Sequence, residues 1–339
     1  MVTPYPAAEA VPSPEPVAGS GLAYHQLHRA GPRGGWRAPL GVLFLGSTWL
    51  TAGLILSLLI GVGHLVYLFA TGVDDPMERF EDVLTLEKLT PLGLAYLALS
   101  LAVLIPLAFA AQRMLHGLRP GTLSSVAPRL RWRYLFACTG LAVVALLATL
   151  LVSALLPAET AGEVGSTLAP FTTTSLWFLV VIAFLVPIQA AGEEYAFRGY
   201  LTQAFGGLFP QRREQLATWV AVLGPAFIFA LMHGLSQDWP IFFDRFAFGV
   251  VAGILVVRTG GLEAAIAMHV LNNWFAFTLA LVFGEMDTVL TPTGGSWWSI
   301  PVTLTQSLVY LALALWLAKR MGLESRSGRG VLVARGGRV

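Results

Sequence analysis

Apolar residues run along this chain in long blocks separated by short polar segments. Eight blocks approach the roughly 20 residues that a helix needs to cross a bilayer. They span about 40–69, 91–111, 134–156, 175–197, 216–233, 241–257, 262–283 and 299–318. The first is long enough to tilt or to continue past the membrane. The sixth and seventh are separated only by Arg258-Thr-Gly-Gly261, a helix-breaking sequence. Periodicity inside the blocks says little, because helices surrounded by lipid and protein are apolar on every face. The pattern predicts an all-α fold, a polytopic membrane helix bundle with about eight transmembrane helices.

Composition removes the alternatives. Of 339 residues, 56% are hydrophobic and 12% charged, too few charges to cover a soluble surface of this size. A net charge of +2 gives no argument for nucleic acid. The single cysteine, Cys138, excludes an intrachain disulfide and a Cys-based zinc site, and reads as a small buried hydrophobe.

Where the charges fall matters more than their sum. Basic residues gather before the first block (Arg29, Arg33, Arg37), in the second loop (Arg113, Arg119, Arg129, Arg131, Arg133), after the fourth block (Arg212, Arg213), at Arg258 and in the C-terminal tail. The loops between these are acidic. This alternation predicts a multi-pass protein of the cell membrane with both termini cytoplasmic. The first apolar block starts too late for a cleavable signal peptide. The chain then divides into a disordered and basic tail at 1–38, a first transmembrane half at 39–174, a polar-studded core at 175–283, an outer loop with the last span at 284–318, and a basic tail at 319–339.

Ionisable groups inside a membrane are costly, so each is a functional candidate. Three clusters stand out: Glu193-Glu194 with Arg198, Phe229 with His233, and His269 with Asn273. Glu194 and Arg198 are i and i+4 in the favourable acid-first order and should pair. Glu193 points about 100° away on a helix, a carboxylate in an apolar setting suited to a general base. Both glutamates could equally be solvated at a helix end. His269 and Asn273 share a helical face and could hold a water, bind a metal, donate to a developing oxyanion, or simply hydrogen-bond between helices. His25, His28, His64 and His116 read as tail, packing or loop residues. Asp244 and Arg245 read as a structural charge pair, and Gly249 with Gly253 as a close-packing step.

In this order on successive spans, Glu193-Glu194-x-x-x-Arg198, Phe229-x-x-x-His233 and His269-x-x-x-Asn273 resemble the CPBP family. These are the CAAX-processing and bacteriocin-processing intramembrane proteases, or abortive-infection proteins, related to the Ras-converting enzyme. Arg258-Thr-Gly-Gly261 adds to the resemblance, which covers about 175–280. It implies an eight-helix intramembrane endopeptidase acting on membrane-associated peptides or proteins. By it, Glu193 and His233 activate water, His269 and Asn273 form the oxyanion hole, and Glu194, Arg198 and Phe229 support the site. Catalysis through zinc held by Glu193, His233 and His269 is the alternative cofactor-dependent version. A non-catalytic membrane adaptor or immunity protein, and less favourably a transporter, are the other classes. Glu193 and His233 meet only if helix four runs on toward Gly206.

Overall fold

A computed structural model describes residues 21–77, 80, 88–155, 167–234, 237–290, 295 and 297–328. Among them the protein is helical, with no strand beyond two isolated bridges. The helices are α1 (Arg37–Ala70), α2 (Pro91–Ala102), α3 (Leu104–His116), α4 (Trp132–Leu155), α5 (Thr173–Phe184), α6 (Val186–Glu193), α7 (Thr202–Gly207), α8 (Glu214–Met232), α9 (Trp239–Thr259), α10 (Glu263–Phe283) and α11 (Ser299–Arg320). A π-helical segment, Glu194–Leu201, joins α6 to α7. Seven stretches are long and apolar enough to cross a membrane, with α2 and α3 counted together, and the bent pair 173–207 makes an eighth. On α1, Leu43, Leu54 and Leu58 are 65–72% exposed. Such a surface is unfavourable in water and suits lipid contact.

Two spans are broken where proline removes a backbone donor. Pro106 follows the break at Val103, and Pro187 lies in the first turn of α6 beyond the 40° bend at Leu185. The first of these breaks lies against α6. A Cβ on Gly192 would collide with the carbonyl oxygen of Leu101, so glycine is what lets α6 lie against the α2–α3 junction. The Gly249/Gly253 step packs as its spacing predicts, with positions for Cβ atoms 2.9 Å from Ala226 and 3.1 Å from Val222 on α8.

The turn between α9 and α10 is clamped from outside. Gly260 takes the left-handed φ of 71° that Cβ-bearing residues avoid. Arg131 reaches Glu263 at 2.6 Å and the Thr259 carbonyl at 3.0 Å, while Val126 N–H donates to Gly260 at 2.8 Å.

One sequence expectation fails here. The tail at 1–38 is no tail from Leu22 to His28, which are buried, with Tyr24–Ala30 forming a 3-10 helix against α7. Leu22, Tyr24 and Leu27 are apolar anchors too few to raise the hydropathy of a Pro-rich neighbourhood. Residues 1–20 and 329–339 lie outside the described residues. Leu22 N–H donates to Ser327 Oγ at 3.0 Å and Ser327 N–H to Leu22 at 2.9 Å, so the two described ends meet at one end of the bundle.

The histidines beside this cap are packing residues with specific partners. His28 stacks on His116 with ring centroids 3.6 Å apart. His28 Nε2 bonds Gln112 at 2.8 Å and His116 Nε2 bonds the Tyr200 hydroxyl at 2.9 Å. Their partners are remote in sequence, which no local spacing reveals.

Candidate active site

The first cluster sits where α6 passes into the π-helical segment, a wide-turn geometry found often at functional sites. Glu193, Glu194 and Arg198 are 7%, 0% and 1% exposed. Arg198 Nη1 donates to Glu194 Oε1 at 2.9 Å, the pair that the i,i+4 spacing predicts. The same oxygen accepts from His269 Nδ1 at 2.8 Å. His269 Nε2 faces Glu193 Oε2 at 3.2 Å, an ion-pair contact rather than an aligned hydrogen bond. His269 therefore stands between the two glutamates, one on each ring nitrogen. The Nδ1 contact with Glu194 fixes the orientation of the His269 ring.

Phe229 is the hub of the second cluster. The Arg198 guanidinium lies 4.0 Å over its ring, and Phe248 from α9 closes the same cation from 5.7 Å. His233 meets the Phe229 ring edge-on at 4.5 Å and His269 meets it at 5.9 Å. His233 Nδ1 donates to the Phe229 carbonyl at 2.8 Å, which leaves Nε2 as an acceptor at an exposed rim. Helix four does run on through α7 to Gly207, and one aromatic ring bridges His233 to the buried cluster. His269 is instead the hydrogen-bond partner of Glu194 and the ion-pair contact of Glu193, and no hydrogen bond joins Glu193 to His233 among the described residues.

Asn273 Nδ2 donates to Gln189 Oε1 at 3.2 Å. Gln189 is one turn before Glu193 on α6, so Asn273 is held to the helix that carries the carboxylates. Sequence reading missed Gln189; a polar residue at i−4 from Glu193 in an apolar run was its signal. It also missed Phe248, which nothing distinguishes from ordinary core. Arg245 donates to Gln237 at 2.7 Å, and Gln237 to the carbonyls of Ala230 and Gly234 at 2.7 Å, tying down the chain that flanks His233.

The cluster keeps polar capacity in reserve. Glu194 Oε2 and the Nε and Nη2 atoms of Arg198 are buried without a protein partner. Buried groups of this kind are normally satisfied, and exceptions concentrate at working sites. Among the described residues no three of His, Cys, Asp or Glu are arranged to hold a metal ion, so zinc held by Glu193, His233 and His269 would require these side chains to move.

Residues 172–275 match the family model described as Rce1-like, type II CAAX prenyl endopeptidase Rce1-like. This segment is similar to that family. It contains every one of Glu193, Glu194, Arg198, Phe229, His233, His269 and Asn273, and agrees with the CPBP resemblance read from those motifs. Seven to eight apolar helices suggest a multi-pass membrane protein. The chain is also 30% identical over 156 residues to Uncharacterized protein YyaK of Bacillus subtilis (strain 168), an alignment of 43% of this chain and 50% of that relative. The chain thus spans about half the length of the curated relative it matches. No solved structure matches the chain.

Proposed function

We propose that this protein is an intramembrane endopeptidase that hydrolyses peptide bonds of membrane-associated proteins or peptides with a water molecule activated by Glu193. The observation that carries the proposal is the placement of His269 between Glu193 at 3.2 Å and Glu194 at 2.8 Å inside a buried, Rce1-like segment. Glu193 accepts a proton from the attacking water and later delivers it to the leaving amine. His233 Nε2, left unprotonated by the Nδ1 hydrogen bond, accepts from the same water at the rim. The Nε2–H of His269 and the Nδ2–H of Asn273 donate to the oxyanion of the tetrahedral intermediate. Glu194 and Arg198 do not touch substrate; they hold His269 in register, and Phe229 holds Arg198. Low local dielectric strengthens each of these contacts once substrate excludes water.

The substrate class supported is a peptide segment presented within or at the surface of a membrane, with both protein termini on the cytoplasmic side. The test is cleavage of such a peptide by the purified full chain in vesicles, comparing wild type with Glu193→Ala, His233→Ala and His269→Ala. Loss of a general base lowers turnover by about 10²–10⁴-fold and loss of an oxyanion donor by about 10²–10³-fold. Wild-type turnover in all three variants contradicts the proposal.

A further inference from the structure

Away from this site, a groove of about 720 Å³ opens between the start of α4 and the end of α11. Arg129, Arg131 and Arg133 line it. Arg131 is already committed to Glu263 and to the Thr259 carbonyl. Arg129 and Arg133 are exposed, and neither guanidinium has a hydrogen-bond or ion-pair partner among the described residues. A neighbouring hollow of about 360 Å³ shares Arg129 and adds Arg119, so the positive strip continues beyond the groove. Glu324 is the one acidic residue in either wall among the described residues.

The depth of the groove follows from its flanks. Trp132 opens the apolar helix 132–155 and Arg320 ends the apolar helix Ser299–Arg320. These helices pack antiparallel, with the Tyr134 hydroxyl donating to the Ala314 carbonyl at 2.9 Å. Trp132 is 59% exposed and stacks on the exposed Phe136 at 5.9 Å. The Arg320 guanidinium sits 5.6 Å from the ring of the exposed Trp316. Exposed tryptophan with flanking arginine marks the level at which hydrocarbon gives way to water. The groove therefore has a positively charged wall at headgroup level and an aromatic flank descending along the hydrocarbon.

We propose that this groove binds the phosphate of an anionic phospholipid headgroup, with Arg129 and Arg133 on the phosphate oxygens and an acyl chain along Trp132 and Phe136. Arginine forks suit phosphate oxygens, and basic pockets between transmembrane helices recognise anionic headgroups by this chemistry. A free phosphate ion would use the arginines and leave the aromatic flank idle, whereas a phospholipid uses both. A zwitterionic lipid gains less from the net positive wall.

The experiment uses the full chain in neutral detergent, titrated with phosphatidylglycerol, phosphatidylcholine or inorganic phosphate, with bound species counted by native mass spectrometry. Phosphatidylglycerol is expected to bind about tenfold more tightly than phosphatidylcholine. Arg129→Gln with Arg133→Gln should weaken it by about ten- to thirtyfold, the effect of two interfacial cations. Arg212→Gln with Arg213→Gln removes the same charge from exposed positions at the start of α8 and should leave affinity within about twofold, the groove being untouched. Equal binding of the two lipids, an equal loss in both double variants, or displacement of phosphatidylglycerol by millimolar inorganic phosphate overturns the proposal. Should the groove variant fail to fold, photoreactive phosphatidylglycerol on the wild type decides: adducts within 127–136 or 316–324 support the site, and adducts confined elsewhere overturn it.

Discussion

The most consequential residue is His269, because two carboxylates and an aromatic ring fix it at once. Its Nδ1 shares Glu194 Oε1 with Arg198, so a fully buried cation and a fully buried anion depend on each other through one oxygen. Breaking a buried pair from one side leaves an uncompensated charge and costs about 3–5 kcal/mol, whereas removing both partners costs far less. Arg198→Met alone should therefore destabilise the protein by that amount in detergent unfolding, and Glu194→Gln with Arg198→Met should recover much of the loss. A double variant as unstable as the sum of the two single ones would show that the two side chains do not interact. The sequence made this pair legible through i,i+4 spacing. It could not show which histidine faces Glu193, since that depends on the rotation and depth of α10 against α6, and neither is encoded locally.

Helices position these residues, and their breaks and glycines do much of the positioning. Hydropathy located seven spans to within about five residues and ended the fourth ten residues short of Gly207, and it showed neither the π-helical turn at Glu194–Leu201 nor the junction at Val103. The Gly192 contact with Leu101 sets the distance between α6 and α2 one residue before Glu193. Gly192→Ala should cost about 1–3 kcal/mol by overpacking and lower turnover by displacing Glu193; unchanged stability and turnover would show that the contact is slack. The 3-10 helix Tyr24–Ala30 gives a pH test outside the membrane spans. Burial lowers His25 from its ordinary 6.5 to about 4, with Glu214 opposing and Arg326 reinforcing that shift. Burial also pushes His28 down, helped by the stacked His116 and opposed by the Gln112 hydrogen bond. The unfolded segment thus binds protons that the docked one refuses, and docking is fully stable above about pH 6.5 and weakens as pH falls toward 4. Hydrogen exchange at residues 24–30, corrected for intrinsic rate, should lose protection across that window; protection constant from pH 7 to 4 would mean that the histidines do not couple to docking.

At the scale of the molecule, the segment 172–275 that matches the Rce1-like model supplies every proposed catalytic group, and described residues outside it brace it. Arg131, just before α4, clamps Glu263 at the start of α10 through a 2.6 Å ion pair. Residues 22–28 cap α7, the extension of the helix that carries Glu193 and Glu194. Membrane class was legible from 12% charged residues, and the site from the few polar groups left inside the spans. The bracing was not, because Arg131 with Glu263 and His28 with Gln112 pair across 132 and 84 residues. In the proposed activity, Glu193 activates the water that cuts a peptide bond. Glu193→Gln keeps the shape and removes the base, so the most direct measurement is its single-turnover cleavage rate on a membrane peptide beside wild type, at matched folding. A loss of about 10²–10⁴-fold is expected; cleavage at the wild-type rate would contradict a role for Glu193 as the base.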